Sequence, residues 1–250
     1  MNTHGHGNCK NCNSLLGGNY CQNCGQAAHI HRYTMRHVLH EVFHSVTHTD
    51  RSALTFLWQI LMRPGEVARD LFAGKRQRYF NLFTFFVLCT AIFTLSVGFS
   101  HYYEILNTSP MHWGDKNPWK VQQQLAYELM TSHGKMLVFS FLPINSLFTW
   151  LFFRRSKLNF AEHLVYNTVV FSPYVLFIAV ATLLVLADHH LAGAINSAIQ
   201  LFLLVYTSIG NRQLFHNNWF LTITKTLIIR FLSLLLIWTG AIMIVMWGYV

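Results

Sequence analysis

Charge is what this chain most lacks. Of its 250 residues 11% are charged, and nine acids stand against 18 lysines and arginines. A water-soluble domain of this length carries roughly twice that charged fraction, so lipid is expected as the main solvent. A small-residue cleavage signal is also missing around the first apolar stretch, which begins well inside the chain; a cleaved leader is not expected. There is no glycine-rich phosphate loop, no G-x-S-x-G elbow, no pair of intramembrane aspartates and no internal repeat that aligns. The apolar stretches, as placed below, hold no acid or base near mid-membrane, which speaks against proton-coupled transport.

What is present is apolar bulk: 53% of the residues are hydrophobic and 21 are phenylalanine. Five stretches are long enough for a hydrocarbon core, which takes roughly 20 helical residues. They lie near residues 79–99, 136–153, 164–187, 191–209 and 227–250. The net charge of +9 clusters beside them. Lys75, Arg76 and Arg78 precede the first stretch; Arg154, Arg155 and Lys157 follow the second; Arg212, Lys225 and Arg230 are assigned between the fourth and fifth. The alternate connections hold Lys116, Lys120, Lys135 and Asp188. The positive-inside rule then places the amino end in the cytoplasm and the carboxyl end in the periplasm of a bacterial inner membrane. Juxtamembrane position explains the basic residues, and no nucleic-acid partner is expected.

Residues 9–24 read CKNCNSLLGGNYCQNC. Cys9, Cys12, Cys21 and Cys24 form two C-x-x-C knuckles, each directing two sulfurs to one side of a tight turn. Together they complete the closed tetrahedral shell of a structural zinc, one per chain. A reducing cytoplasm disfavours lasting disulfides, and no βαβ pattern supports a redox pair. With four sulfur ligands no position stays open for catalysis. Cys89 is expected to be a small buried residue.

Residues 37–50, HVLHEVFHSVTHTD, place His37, His40, His44 and His48 at steps of three or four. On a helix over 33–48, Met35, Val38, Leu39, Val42, Phe43 and Val46 share one arc and the histidines the opposite one. Three readings compete for that face: a solvated or headgroup-facing surface, a second metal site, and a pH-sensitive cluster. HEVFH matches H-E-x-x-H, in which His40 and His44 would hold a metal and Glu41 would activate its water. His48, Asp50, Glu162 and His163 are candidate further ligands. The short pattern arises readily by chance in a chain with 15 histidines.

Residues 53–62 are apolar but too short to cross, and fit an interfacial or re-entrant helix. A further short helix is expected over 66–73, ended by Gly74. Trp113 and Trp119 in the loop 100–134 suit an interfacial belt. Asn159 and Glu162 form a capping-box start for the third stretch. Asn145, Asn167, Thr168, Ser172, Asn196 and Gln200 are expected to make interhelical contacts.

The elements CKNC…YCQNCGQ, FHSVTHTDRS, LMRPGEVARDLFAGKRQRYFN and FAEHLVYN together resemble an uncharacterised bacterial membrane family, domain of unknown function 3667, common in Bacteroidota. The resemblance is densest from Cys9 to Asn81. It implies a short amino-terminal zinc ribbon before a multi-span region, and supplies no activity. A looser similarity, in span number and cytoplasmic amino end, is to Yip-type proteins.

The expected fold is an all-α polytopic membrane protein: a four-cysteine zinc ribbon (1–28), cytoplasmic or interfacial amphipathic helices (29–78) and a five-span bundle (79–250). The expected role is a non-enzymatic adaptor or assembly factor that docks a cytoplasmic or membrane protein partner through the ribbon. A metal-dependent membrane hydrolase built on HEVFH, and a small-solute or lipid transporter, are the alternatives.

Overall fold

The computed structural model describes residues 7–44, 53–101, 139–185, 188, 190 and 192–248. Among these the regular elements are helical, and two isolated β-bridges lie in the cysteine-rich segment. The α-helices are α1 (Met35–His44), α2 (Ala53–Met62), α3 (Pro64–Phe72), α4 (Leu82–Ser100) and α5 (Phe139–Phe152). They continue with α6 (Phe160–Leu184), α7 (Ala192–Phe215) and α8 (Trp219–Gly248). Four are long and apolar enough to cross a membrane: α4, α6, α7 and the Trp219–Gly240 part of α8. The stretch expected at 136–153 is represented by α5, which alone is shorter than a crossing. Trp113 and Trp119 lie outside the described residues.

Helix starts follow local chemistry. The Asn81 side chain accepts from the Phe83 and Thr84 N–H groups and opens α4. Asn159 and Glu162 form a complete capping box, so α6 begins at Phe160, ahead of the apolar run. The largest departure from expectation is at α8, which begins at Trp219 and not near residue 227. Thr222 and Thr226 return their hydroxyls to the carbonyls of Asn218 and Thr222, which hides their polarity inside the helix. Lys225 and Arg230 are therefore helical residues within a candidate span, where a connection was expected.

The core has two parts. Phe56 and Ile60 of α2 meet Phe83, Phe85, Phe86 and Phe93 of α4 and Val165, Val169 and Val175 of α6. Ala68, Tyr166, Val170, Tyr206 and Leu214 join α3, α6 and α7. The other side of α2 shows Leu54, Trp58 and Met62 outward, at least half exposed. A helix apolar on both sides suits a lipid-embedded position. Its carboxyl end is satisfied by α7: Tyr206 OH donates to the Ile60 carbonyl (2.7 Å) and Gln213 Nε2 to that of Met62 (3.4 Å).

Gly65 of the Arg63-Pro64-Gly65 turn lies directly on α7. A Cβ there would stand 2.7 Å from the Leu214 nitrogen and 2.8 Å from the Gly210 carbonyl. The missing side chain is what lets α3 reach the last turns of α7.

Beyond α3, the Asp70 carboxylate receives Lys75 Nζ and Tyr79 OH, each at 2.7 Å, and lies 3.6 Å from Arg78 Nη1. Burial pushes this carboxyl up, but the Lys75 and Tyr79 hydrogen bonds outweigh it and hold it below its ordinary value. A depressed folded-state pKa gives stability that is present above the unfolded value, about 3.9, and lost as pH falls through the folded one. The link from α3 to α4 is expected to become protease-sensitive only in acid. Asp70→Asn should be sensitive at neutral pH and lose that acid-dependent step.

Candidate metal centre

Two turns of like design bring the sulfurs together. Cys9 N donates to Ser14 O and Asn13 N to Cys9 O; twelve residues on, Cys21 N donates to Gln26 O and Gly25 N to Cys21 O, all at 2.8 Å. The flanking bridges, Asn8 with Leu15 and Tyr20 with Ala27, obey the same offset. Each turn closes through a left-handed residue, Asn13 (φ 61°) and Gly25 (φ 73°), the types that tolerate that conformation. A short repeat therefore exists. Its trace in the sequence is C-K-N-C-N against C-Q-N-C-G.

Cys9 Sγ lies 3.5 Å from Cys24 Sγ and Cys12 Sγ 3.5 Å from Cys21 Sγ; all four sulfurs fall within 4.8 Å of one another, and none is in a disulfide. Four sulfurs about 2.3 Å from a central zinc would be about 3.8 Å apart. The donor set and its size thus fit a tetrahedral metal ion. The Ser14 hydroxyl beside Cys12 holds that thiol down at about 6. At Cys21 the Cys24 N–H draws the thiol down, but burial and the neighbouring thiols Cys12 and Cys24 prevail and push it up to about 11. Four thiolates so close repel one another until a cation sits among them.

The cysteine turns are seated on the helices. Gln26, 2% exposed, accepts the Arg76 and Gln77 N–H groups on its Oε1 at 3.1 and 3.2 Å. Arg76 in turn donates to the His31 carbonyl (2.9 Å), meets His37 Nε2 (2.6 Å) and lies 3.8 Å over the Tyr33 ring. Arg32 reaches Glu162 with two nitrogens, both at 2.5 Å, and the Lys157 carbonyl at 2.7 Å. Glu162 also accepts the Asn159 N–H, and Asn159 Nδ2 donates to the Tyr33 carbonyl. Residues 26–37 thus form a strap across the amino ends of α4 and α6. Glu162 is 3% exposed, whereas the Arg32 side chain is 57% exposed. A paired charge of this kind contributes about 1.5–3 kcal/mol when dry. Solvent at Arg32 lowers the expectation for Arg32→Ala to roughly 1–2 kcal/mol, read as a lower thermal midpoint and faster proteolysis of the strap.

Of the second predicted cluster and its candidate further ligands, only Glu162 and His163 have described side chains. His40, Glu41 and His44 lie on α1, but their side chains are outside the described set, as are His48 and Asp50 altogether. His163 is fully buried on α6, with neither ring nitrogen hydrogen-bonded, and stacks on Phe215 at 5.6 Å between centroids. Phe215 stacks in turn on Phe153 at 4.0 Å. Glu162 is committed to its cap and Arg32. Cys89 is buried within α4. The histidine face is also not wholly wet, because His37 turns toward Arg76.

Of the polar residues expected to join helices, Asn145, Asn167 and Gln200 do so, whereas Thr168 and Ser172 return their hydroxyls to carbonyls of α6. Asn145 Nδ2 donates to Asn167 Oδ1, and Asn167 Nδ2 to Thr149 Oγ1, each at 2.8 Å. Tyr166 OH donates to Asn211 Oδ1 (2.8 Å), and Asn211 Nδ2 to Thr226 Oγ1 (2.9 Å). Sequence reasoning missed Gln26 as the seat of the cysteine turns; the only trace was its place two residues after the second knuckle.

Residues 54–94 match the model of a family described as protein of unknown function, DUF3667. The match covers α2, α3, the basic turn and most of α4, which includes the Arg76 and Gln77 part of the surface on which the strap rests. No curated protein and no solved structure matches the chain.

Proposed function

We propose that this multi-pass membrane protein is a non-enzymatic adaptor of the bacterial inner membrane. Its cytoplasmic ribbon holds one zinc ion on Cys9, Cys12, Cys21 and Cys24 and presents a docking surface to a cytoplasmic protein. Within this reading α5 belongs to a fifth span, and the charge alternation puts the carboxyl end in the periplasm. One observation carries the reading: the ribbon is fixed to the helices on one side while Leu15 and Tyr20 stand 83% and 67% exposed on it. A structural ion with four thiolate ligands is closed to substrate, so its work is to hold shape. Large apolar side chains held outward on a rigid, metal-braced turn are suited to protein contact.

The test joins metal analysis to crosslinking in cells. The purified wild type, His40→Ala and His44→Ala should each hold one zinc, whereas Cys24→Ser should hold none. A photoreactive residue at Leu15 or Tyr20 should give one discrete protein adduct that vanishes in the Cys24→Ser background. Absence of any adduct at both positions would count against the adaptor. A second metal lost in His40→Ala would favour the hydrolase.

A further inference from the structure

Arg230 is a cation within a candidate span that the described residues leave without an acid. It is the twelfth residue of α8, so at 1.5 Å per residue it stands about 16 Å from the Trp219 end. With α8 about 45 Å long and a hydrocarbon core of roughly 30 Å, a helix centred in the core puts Arg230 about 9 Å inside the near edge, where a long side chain reaches toward the headgroup layer. Its guanidinium turns to α7, where Nη1 donates to the Gln200 carbonyl at 3.2 Å and Nη2 to Gln200 Oε1. Both partners are neutral. From residue 139 onward the chain has two acids, Glu162 and Asp188. Glu162 is taken by Arg32, and Asp188 Oδ1 accepts the His190 N–H in the connection between α6 and α7. Among the described residues no carboxylate pairs with Arg230. An intramembrane cation is costly without a counter-charge, and a guanidinium with two of its five donors used keeps three for an anion.

Those donors border a cavity between α5, α6, α7 and α8. It is a small cavity, about 30 Å³, open on one side. Asn145, Thr207 and Arg230 give it polar corners, and Phe141, Leu142 and Leu203 are among its apolar walls. The amides and hydroxyls deeper in largely satisfy one another, which leaves Arg230 as the strong unspent donor. Gln200 is exposed on the outer side of α7, so the niche is reached laterally, from the lipid.

We propose that Arg230, at the mouth of this cavity, binds the anionic phosphate of a lipid headgroup, with Arg230 as the recognising charge and the apolar wall residues flanking the first part of the chain. A planar guanidinium is the donor best matched to phosphate. The proposal does not depend on the metal ribbon.

The full-length protein in an uncharged detergent would be titrated with phosphatidylglycerol, with diacylglycerol of the same chains, and with inorganic phosphate, and its thermal midpoint followed. Phosphatidylglycerol should raise the midpoint of the wild type saturably, whereas diacylglycerol should not. Arg230→Gln should weaken apparent binding at least about tenfold, the loss of one charge-assisted contact, and Arg230→Lys should weaken it less. Thr207→Leu serves as a second variant. Among the described residues the Thr207 hydroxyl bonds only carbonyls of its own helix, so the added bulk fills the cavity and leaves the interhelical bonds intact. It should also abolish the shift, and it decides the matter if Arg230→Gln does not fold. Equal stabilisation of wild type and both variants by phosphatidylglycerol would overturn the proposal. The same shift from inorganic phosphate alone would support the phosphate site and move its source from lipid to a soluble anion.

Discussion

Exchange of Cys21 for serine should strip the chain of its metal and release its first thirty residues from the helices, while α4, α6, α7 and α8 persist. Cys21 is buried, is one of the four clustered thiols, and opens the second of the two turns. A serine hydroxyl does not ionise at neutral pH and binds zinc poorly compared with thiolate, so three sulfurs remain and the closed shell is lost. Without it the turns rest on a few backbone hydrogen bonds and two isolated bridges, too little to order so short a segment. Gln26 follows the second knuckle by two positions, so its bonds to Arg76 and Gln77 should fail together with the turn. The readouts are metal content, expected to fall from one per chain to none, and proteolysis confined to the amino end. Retention of one tightly held zinc in Cys21→Ser would sink the four-sulfur assignment.

Gly65→Ala should be the most damaging single methyl in the helical region. The new Cβ would meet Gln213 Cβ at 2.5 Å as well as the Leu214 nitrogen and the Gly210 carbonyl, two of the three contacts being backbone. Neither helix can yield by turning a side chain, so α3 must lift from α7. The Gly65 N–H would then lose Gln213 Oε1, 3.0 Å away. Overpacking costs about 1–3 kcal/mol and a lost hydrogen bond about 1 kcal/mol more. Gly98→Ala on α4 is the control: nothing lies within 4 Å of its Cβ position, and alanine is the better helix former. Thermal midpoints in detergent should fall clearly for the first and hold or rise for the second.

The contrast between these residues shows which parts of the molecule can be read from order alone. The cysteine spacing announced its site because two knuckles are local and four sulfurs have one dominant use. Asn159 and Glu162 announced a helix start for the same reason, since a capping box closes within four residues. Apolar runs located the crossing helices but not their ends: Trp219 to Thr226 looked like connection because Lys225 interrupted it, whereas its threonines bond within the helix. Arg230 was misplaced by the same habit of assigning every base to a loop. The pairing of Arg32 with Glu162, the seat of Gln26 and the bare surface of Gly65 join residues 50 to about 150 positions apart. No local pattern encodes such meetings. His163 was singled out as a candidate ligand, but that its ring would lie against Phe215 was invisible until α6 and α7 were side by side.

The strap has a consequence for how the chain is made. Its cysteine turns need only the first 28 residues, so they can close as soon as those leave the ribosome. The carboxylate that Arg32 grips, however, is synthesised 130 residues later, about ten seconds at ordinary translation rates. For that interval the cysteine-rich head has only the Arg76 and Gln77 part of its seat, and anything that binds the face later tied down through Glu162 has its opportunity then.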